Sequence, residues 1–250
     1  MTTALLAGTY AAAQSGLTPP QIGFLRDTAH DMRPLLGISG NFWMGDPVAA
    51  DVQSAASSGR ASMLKTANSL LVLDVLGHPV GNPWTATGTA LFAFTPAGAP
   101  ATVWLPEYGE LLRWNGLAFQ FTPVTAASLN GTVISLAAPD SSRAAFLVQR
   151  EQLWRVDVSL LDGGVLDSAV LPGVSAPALL LDDGAVIYNT GSALGVRAPD
   201  QTERAIPFRG SVKDFTRLGQ DWILIVGSNS EQFALRLSTG SLFELPETAQ

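Results

Sequence analysis

The chain has 250 residues, no cysteine, and 14 basic against 21 acidic side chains, which gives a formal charge of −7. Without cysteine there is no disulfide framework, Cys-ligated zinc, iron–sulfur cluster or thiol nucleophile. The acidic charge argues against nucleic acid and anionic membrane as partners, because both require a surplus of Lys and Arg. No apolar run reaches the roughly 18 residues of a membrane-spanning helix, so no membrane insertion is expected.

The N-terminal residues 1–16 contain a small apolar block at 4–13, followed by Gln14, Ser15 and Gly16. Small residues after a short apolar stretch are typical of a secretory signal near its cleavage site. Residues 1–3 carry no Lys or Arg, although such a signal normally begins with basic residues. Two interpretations stay open: an export signal of a periplasmic or extracellular protein, or a first strand or Ala-rich helical turn of a protein that stays in the cytoplasm. Residues 17–250 are predicted to form one domain.

The first predicted elements are the two strands of a β-hairpin, at residues 21–26 and 32–38, joined by a loop at 27–31. From residue 47 onward, runs of four to seven β-prone residues alternate with breaks rich in Gly, Pro, Asp and Asn, which are strand and turn signals. The runs form five units of similar order, at 47–86, 87–127, 128–173, 174–210 and 211–246. Each unit is predicted to contain four short strands, with Asp-Gly and Thr-Gly breaks supplying the positive φ of tight hairpins.

Two columns of apolar residues support a repeat of about 41 residues. One column contains Leu64, Leu105, Phe146 and Ile187, and the other contains Leu71, Leu112, Leu153 and Leu194. Val226 and Phe233 continue them in the fifth unit at a step of 39. A period near 40 to 45 residues with four strands is typical of one β-propeller blade. Stacked blades bury both faces of each sheet, so their strands need not alternate polar and apolar residues.

The N-terminal hairpin does not keep these columns, because stepping back by 41 residues reaches Gly23 and His30. The prediction is therefore an all-β fold, a β-propeller of four-stranded antiparallel blades. It has about six blades, of which the N-terminal one is irregular, and residues 3–12 are the candidate strand to complete that blade. Five blades is the alternative.

Three turns carry a resemblance to known families. Pro139-Asp140-Ser141 and Asp182-Asp183-Gly184 stand between first and second strands of their units, and Ser238-Thr239-Gly240 stands between a third and a fourth. Through these turns, residues 47–246 resemble bacterial β-propeller families of the WD40-like and lactonase-like kind. The resemblance implies the propeller fold but no particular partner, because no unit carries both the Gly-His and the Trp-Asp pair of a true WD40 blade.

Residue types that support catalysis or metal binding are few. His30 and His78 are the two histidines, and both fall in predicted turns, where a solvated side chain is the simplest interpretation. The sequence lacks a Gly-x-Ser-x-Gly elbow, a Gly-rich phosphate loop and a calcium-loop pattern. The acid pair Asp182-Asp183 lies in a turn, where Asp usually binds its own backbone, and Asp140, Asp162 and Asp200 receive the same interpretation. No catalytic residue, metal ligand or cofactor is therefore assigned.

The six tryptophans divide into two groups. Four fall within predicted second and third strands, where packing between blades buries large rings: Trp104, Trp114, Trp154 and Trp222. Trp43 and Trp84 have Gly, Asn and Pro nearby and are predicted to lie in loops. These two are the candidate residues of an exposed binding surface.

The sequence thus predicts a non-enzymatic propeller module that binds a protein or carbohydrate partner through one face of the disc. The alternative is a hydrolase or lyase with its site at the central channel, where His30, His78 and scattered Asp residues would have to converge. A fragment of a larger exported protein is a third interpretation. Three or more oxygen or nitrogen ligands around a metal-sized space in the channel would favour the enzyme, whereas a lining of Ala, Val, Ser and Leu would favour binding.

Overall fold

A computed structural model describes residues 19–246. These residues form six antiparallel sheets arranged in a ring, which confirms the predicted six-blade β-propeller. The two interpretations of residues 1–16, and the strand expected at residues 3–12, lie outside the described residues. Within the described range, the only helix is the single turn α1 (Ala126–Leu129) between blades 3 and 4, and no helix there has the length and hydropathy to cross a membrane.

The strands follow one another from the inside of each blade to its outside. Blade 1 consists of β1 (Gln21–Arg26), β2 (Met32–Ile38) and β3 (Asn41–Met44). Blade 2 consists of β4 (Val52–Ser57), β5 (Ser62–Thr66), β6 (Ser69–Leu73) and β7 (Pro79–Thr85). Blade 3 consists of β8 (Leu91–Phe94), β9 (Pro100–Leu105), β10 (Glu110–Trp114) and β11 (Phe119–Thr125).

The remaining three blades complete the ring in chain order. Blade 4 consists of β12 (Thr132–Ala137), β13 (Arg143–Gln149), β14 (Leu153–Ser159) and β15 (Val165–Val170). Blade 5 consists of β16 (Ala178–Leu180), β17 (Val186–Asn189), β18 (Ala193–Arg197) and β19 (Glu203–Pro207). Blade 6 consists of β20 (Val212–Arg217), β21 (Trp222–Gly227), β22 (Gln232–Arg236) and β23 (Ser241–Glu244).

The core is divided among the seams, a seam being the contact between two neighbouring blades. Six hydrophobic clusters occur in the described residues, one at each seam. The two apolar columns of the sequence fall on the second and third strands, and Leu64, Phe146 and Ile187 have no exposed surface. Because every blade is covered on both faces, second strands carry continuous apolar runs, such as residues 144–148 in β13 and 223–226 in β21, as the repeat pattern predicted.

The turns also behave as the sequence predicted. The carboxylates of Asp140, Asp162 and Asp200 each accept a hydrogen bond from the backbone N–H two residues further on, at 2.8, 3.1 and 3.0 Å. Such bonds let an Asp side chain stand in for a backbone partner and so stabilise a tight turn. These carboxylates are therefore used within their own turns.

Blade 1 differs from its neighbours in the direction of its inner strand. The Nε of Arg26, at the end of β1, donates to the carbonyl oxygen of Val52, at the start of β4, at 2.5 Å. Gly23, near the start of β1, lies beside Ser57 at the end of β4. Strand β1 therefore runs antiparallel to β4, whereas β20 approaches β4 directly. This is the direction of a second strand, and it brings the loop at residues 27–31 to the end of the ring where β4 begins.

Candidate functional site in the central channel

A cavity of about 440 Å³ lies on the axis of the ring. Its walls come from the innermost strand of every blade, β1, β4, β8, β12, β16 and β20, and from the turns beside them. Ligand sites typically have volumes of roughly 300–1,000 Å³ and combine apolar walls with a few polar groups. This channel cavity is therefore the candidate functional site.

The walls of the channel cavity are of two kinds. Blades 3, 4 and 5 contribute an apolar wall, whose partly exposed side chains are Leu91, Phe92, Ile134 and Leu179. The charged residues come from blades 1 and 6, with one from blade 5, and are Arg26, Asp27, His30, Asp182, Lys213, Asp214 and Arg217. No group of three or more His, Asp or Glu in residues 19–246 has a geometry that could hold a metal ion.

The first strands of blades 2, 4 and 6 share a one-residue β-bulge near their start. The bulge residues are Gln53, Ile134 and Lys213, and all three line the channel cavity. A bulge bends its strand locally and re-aims a side chain. The repeat therefore places one re-aimed side chain from each of three blades at the axis.

The residue after each bulge shows how one position serves two purposes. The hydroxyls of Ser54 and Ser135 each accept a hydrogen bond from the next blade, from the N–H groups of Ala90 and Leu180, both at 2.9 Å. Asp214 holds the equivalent position in blade 6, but its carboxylate accepts a hydrogen bond from the next N–H of its own strand, at 2.8 Å. Blade 6 therefore uses this position for a carboxyl group in the channel and not for a bond between blades.

The carboxyl group of Asp214 is open to the channel but enclosed on its sides by the channel walls. This desolvation raises its pKa, while the hydrogen bond from the Phe215 N–H, the charges of Lys213 and Arg26, and a hydrogen bond from the Thr216 side chain oppose the rise. Ion pairs to Asp214 are not found among the described residues. Asp214 is thus a carboxyl group with unused hydrogen-bonding capacity in the cavity.

A buried ion pair joins blade 5 to blade 6. Asp182 follows β16, is 8% exposed, and accepts a hydrogen bond at Oδ2 from an Nη of Arg217. Burial raises the pKa of Asp182 to about 6, although the guanidinium of Arg217 acts in the opposite direction. Its neighbour Asp183 binds the Ala185 N–H at 2.9 Å, as expected for a turn. The turn interpretation therefore describes Asp183, whereas Asp182 has a partner that the local sequence does not indicate.

Arg217 has a further donor that stays unused. Its Nε is buried and lacks a hydrogen-bond partner in the part of the chain that the structure describes. Arg217 itself lines the channel cavity. Buried donors are normally satisfied, so this Nε is a donor that the fold itself leaves without an acceptor.

Three polar side chains from three consecutive blades line the same cavity. His30, Gln53 and Lys213 come from blades 1, 2 and 6, and none of their side chains has a hydrogen bond to another described residue. The His30 loop is nevertheless held in place, because its carbonyl accepts the Val52 N–H at 2.8 Å. These side chains are thus positioned by their backbone but left with free donors and acceptors.

The chain has two lysines, Lys65 and Lys213, and Lys213 is the one accessible to a ligand. Lys65 has no exposed surface, and its Nζ donates to the carbonyl oxygens of Thr66 at 2.5 Å and Ala67 at 3.3 Å. Its burial lowers its pKa, an effect that Tyr108 and Glu107 partly oppose. The exposed Lys213 can therefore meet a ligand, whereas Lys65 is committed to the fold.

The two tryptophans predicted as binding residues lie outside the lining of the channel cavity. Trp43 is on β3, the outer strand of blade 1, and is 41% exposed. Trp84 is on β7, the outer strand of blade 2, and packs partly buried against the cluster between blades 2 and 3. Their predicted loop placement was wrong, because edge strands accept the Gly and Pro residues that suggested a loop. Their role in binding stays a prediction.

The structure separates the residues considered for a channel-centred enzyme. His30 and Asp182 reach the channel cavity, whereas His78 lies in an exposed turn beside Asp74, with Nδ1 and Oδ2 3.5 Å apart. Sequence reasoning did not single out Lys213, Asp214 or Arg217. A signal was present, because a Val-x-Ser or Val-x-Asp pattern starts at Val52, Val133 and Val212, which are 81 and 79 residues apart, or about two repeat units.

The propeller fold supports many unrelated functions, so the fold does not identify one. No protein-family model matches this sequence, and a search of curated proteins found no match. The resemblance to propeller families is confirmed as far as the six-blade fold, and a bacterial origin stays a prediction. Function is therefore inferred from the residues of the channel cavity.

Proposed function

We propose that this protein is a non-catalytic binding module that holds a protein or glycan partner at its central channel. The observation that carries the proposal is the convergence of His30, Gln53 and Lys213 on one cavity, with no side-chain hydrogen bond to another described residue. Convergent polar groups beside an apolar wall are what orients a ligand. The apolar wall from blades 3 to 5 provides the other half of such a site.

The scaffold supports binding because it holds these side chains before a ligand arrives. Asp27 is buried under the loop that carries His30, and it accepts hydrogen bonds from Arg33 Nε at 2.7 Å and from the Asp31 N–H at 2.9 Å. Gln53 and Lys213 stand on bulges of strands that are paired along their length. Pre-organised groups lose little conformational entropy on binding, which favours affinity.

Lys213 provides the direct test. An amine-acylating reagent should modify Lys213 and the chain's N-terminal amine, because Lys65 is buried. Ligands would be selected from a peptide-display library and a glycan array, and each would be checked for protection of Lys213 by mass spectrometry. The K213A/Q53A variant should bind them about tenfold more weakly, the loss expected for one or two hydrogen bonds.

The matched control is Arg113→Ala, which removes an exposed cation on β10, outside the channel cavity. This variant should bind the selected ligands as the wild type does. Ligands that leave Lys213 open to acylation and bind the K213A/Q53A variant at full strength would contradict the proposal.

One observation favours the alternative of a hydrolase or lyase. Asp182 and Asp214 both line the channel cavity, and desolvation raises the pKa of each. Carboxyl groups with a raised pKa can act as general acids near neutral pH. Glycosides and lactones can be screened for turnover, with Asp214→Asn as the diagnostic variant. An enzyme should lose about 100-fold or more in rate in this variant, whereas a binding module should show no turnover to lose.

A further inference from the structure

We infer that the channel cavity recognises a carboxylate, and that this carboxylate is the free C-terminus of a partner protein. The inference rests on the proposed binding function and names the chemistry of its ligand. Three features of the channel carry it: the unused edge of a guanidinium, the charge balance of the lining, and the apolar wall beside both.

The guanidinium of Arg217 presents an unused edge. One Nη donates to Asp182, while Nε and the other Nη have no partner among residues 19–246. The Nε–Nη edge of an arginine fits the two oxygens of a carboxylate in a bidentate pair. The buried pair with Asp182 holds the guanidinium in place, so the free Nη is already oriented for a ligand carboxylate. A second bond, to the buried Nε, requires the side chains that cover Nε to move aside.

The charge of the lining favours an anion. Asp27 is neutralised by Arg33, with Nε and Oδ2 2.7 Å apart, and the ion pair between blades 5 and 6 neutralises itself. The charged groups left over are Arg26 and Lys213 against Asp214. Two cations therefore face one carboxyl group, and both Lys213 and Arg26 favour a negative charge at the position of Asp214. This local excess of positive charge occurs in a chain whose formal charge is −7.

The apolar wall decides between sources of a carboxylate. Ile134 and Leu179 line the same cavity as Arg217 and are only partly buried, so an apolar group in the channel can contact them. An acidic sugar would place hydroxyl groups against this wall and leave them without hydrogen bonds, which is unfavourable. A chain terminus with an apolar last residue instead offers a carboxylate and an apolar side chain on neighbouring atoms, which matches the two kinds of wall.

Three short peptides test the inference on the full chain. The first is acetyl-Gly-Gly-Ala-Leu with a free carboxylate, the second is the same peptide as its C-terminal amide, and the third is an amidated peptide with an internal Glu. Dissociation constants would be measured by calorimetry or by NMR titration. The free acid should bind at least about tenfold more tightly than its amide and than the Glu peptide.

Two variants assign the effect to residues. Arg217→Lys keeps the positive charge but removes the guanidinium fork. The ratio of the amide's dissociation constant to the acid's should therefore fall to near one. Lys213→Gln changes an exposed side chain and so leaves the fold intact, and it should weaken the acid about threefold while leaving the amide unchanged. Arg113→Gln, an exposed change on β10, should alter neither peptide.

Equal binding of acid and amide, tighter binding of the Glu peptide, or no binding of any peptide at about 5 mM would each overturn the inference. These results are distinguishable from a failure of the proposed function. A glycan or uncharged ligand that protects Lys213 from acylation would support the proposed binding function and contradict the inference that the ligand is a carboxylate.

Discussion

The seams of this propeller are closed in two different ways. Between blades 2 and 3, and between blades 4 and 5, a serine hydroxyl accepts a backbone N–H from the next blade, at Ser54 and Ser135. Blade 6 instead places charge at its two seams, with the Asp182–Arg217 ion pair toward blade 5 and Asp214 facing blade 1. The same strand position can thus hold the ring together or remain available to a ligand.

The difference follows from the strand that each position meets. Ser54 and Ser135 stand opposite the first strand of a four-stranded blade, where Ala90 and Leu180 present an N–H. Asp214 stands at the seam with blade 1, whose inner strand β1 runs antiparallel to β4. A residue at that seam binds its own strand instead, which leaves its charge in the channel.

The largest effect is expected at the charged seam between blades 5 and 6. Arg217→Met would leave Asp182 buried without a partner and should lower the free energy of unfolding at pH 7 by about 3–5 kcal/mol. The double variant D182N/R217M should recover part of this loss, because it removes the unpaired charge. Both free energies would be measured by denaturant unfolding. A loss below about 1 kcal/mol in the single variant would show that the ion pair does not stabilise this seam.

The second prediction concerns the pH dependence of that seam. The pKa of Asp182 is raised to about 6 in the folded chain, so the folded state binds more protons than the unfolded state between about pH 4 and pH 6. The contribution of Asp182 to stability is therefore fully present below about pH 4 and decreases as the pH rises through 6, by roughly 3 kcal/mol in total. Carboxyl groups with lowered pKa, such as Asp140, have the opposite dependence at lower pH.

Comparison with Asp182→Asn isolates this contribution. The free energy of unfolding of the wild type and of the variant would be measured by denaturant unfolding at pH 4.5 and pH 7.5. The wild type should be more stable relative to the variant at pH 4.5 than at pH 7.5. A difference that does not change with pH would mean that Asp182 keeps an ordinary pKa.

The neutral seams should respond less. Ser135→Ala leaves the Leu180 N–H buried without an acceptor and should lower the free energy of unfolding by about 1–2 kcal/mol. Ser54→Ala should cost less, about 0.5–1 kcal/mol, because its bond to Ala90 is partly exposed and water can replace the hydroxyl. Equal losses of unfolding free energy in the two variants would show that the difference in burial between the two hydrogen bonds does not affect their contribution to stability.

The smallest change in stability is expected where blade 6 is made to resemble blades 2 and 4. Asp214→Ser should change the free energy of unfolding by no more than about 0.5 kcal/mol, because the carboxyl group forms no bond to another blade. The same variant should bind the free-acid peptide about threefold more tightly, since a negative charge leaves the channel. Asp167→Ser, an exposed change on the outer strand β15, is the control and should leave the affinity unchanged.

Elements determined by near neighbours along the chain could be predicted closely. The hairpin strands Gln21–Arg26 and Met32–Ile38 were predicted with their observed bounds, because a short loop and two β-prone runs define them locally. Strand β3 (Asn41–Met44) was missed, because Gly40 and Gly45 on its flanks suggest a loop. The channel site was not predicted, since Lys213, Asp214 and Arg217 have no local pattern that marks them as neighbours of His30 and Gln53.

The sequence by itself determined the repeat, the turn positions and the division of the core into seams, because apolar spacing and turn chemistry act over a few residues. Only the tertiary structure decided the direction of β1 and the pairing of Asp182 with Arg217, which are 35 residues apart. The same holds for the meeting of side chains from blades 1, 2 and 6 at the axis. The physical reason is that closure of the ring brings distant polar groups together, and the free energy of that contact depends on burial and on charges that no single repeat contains.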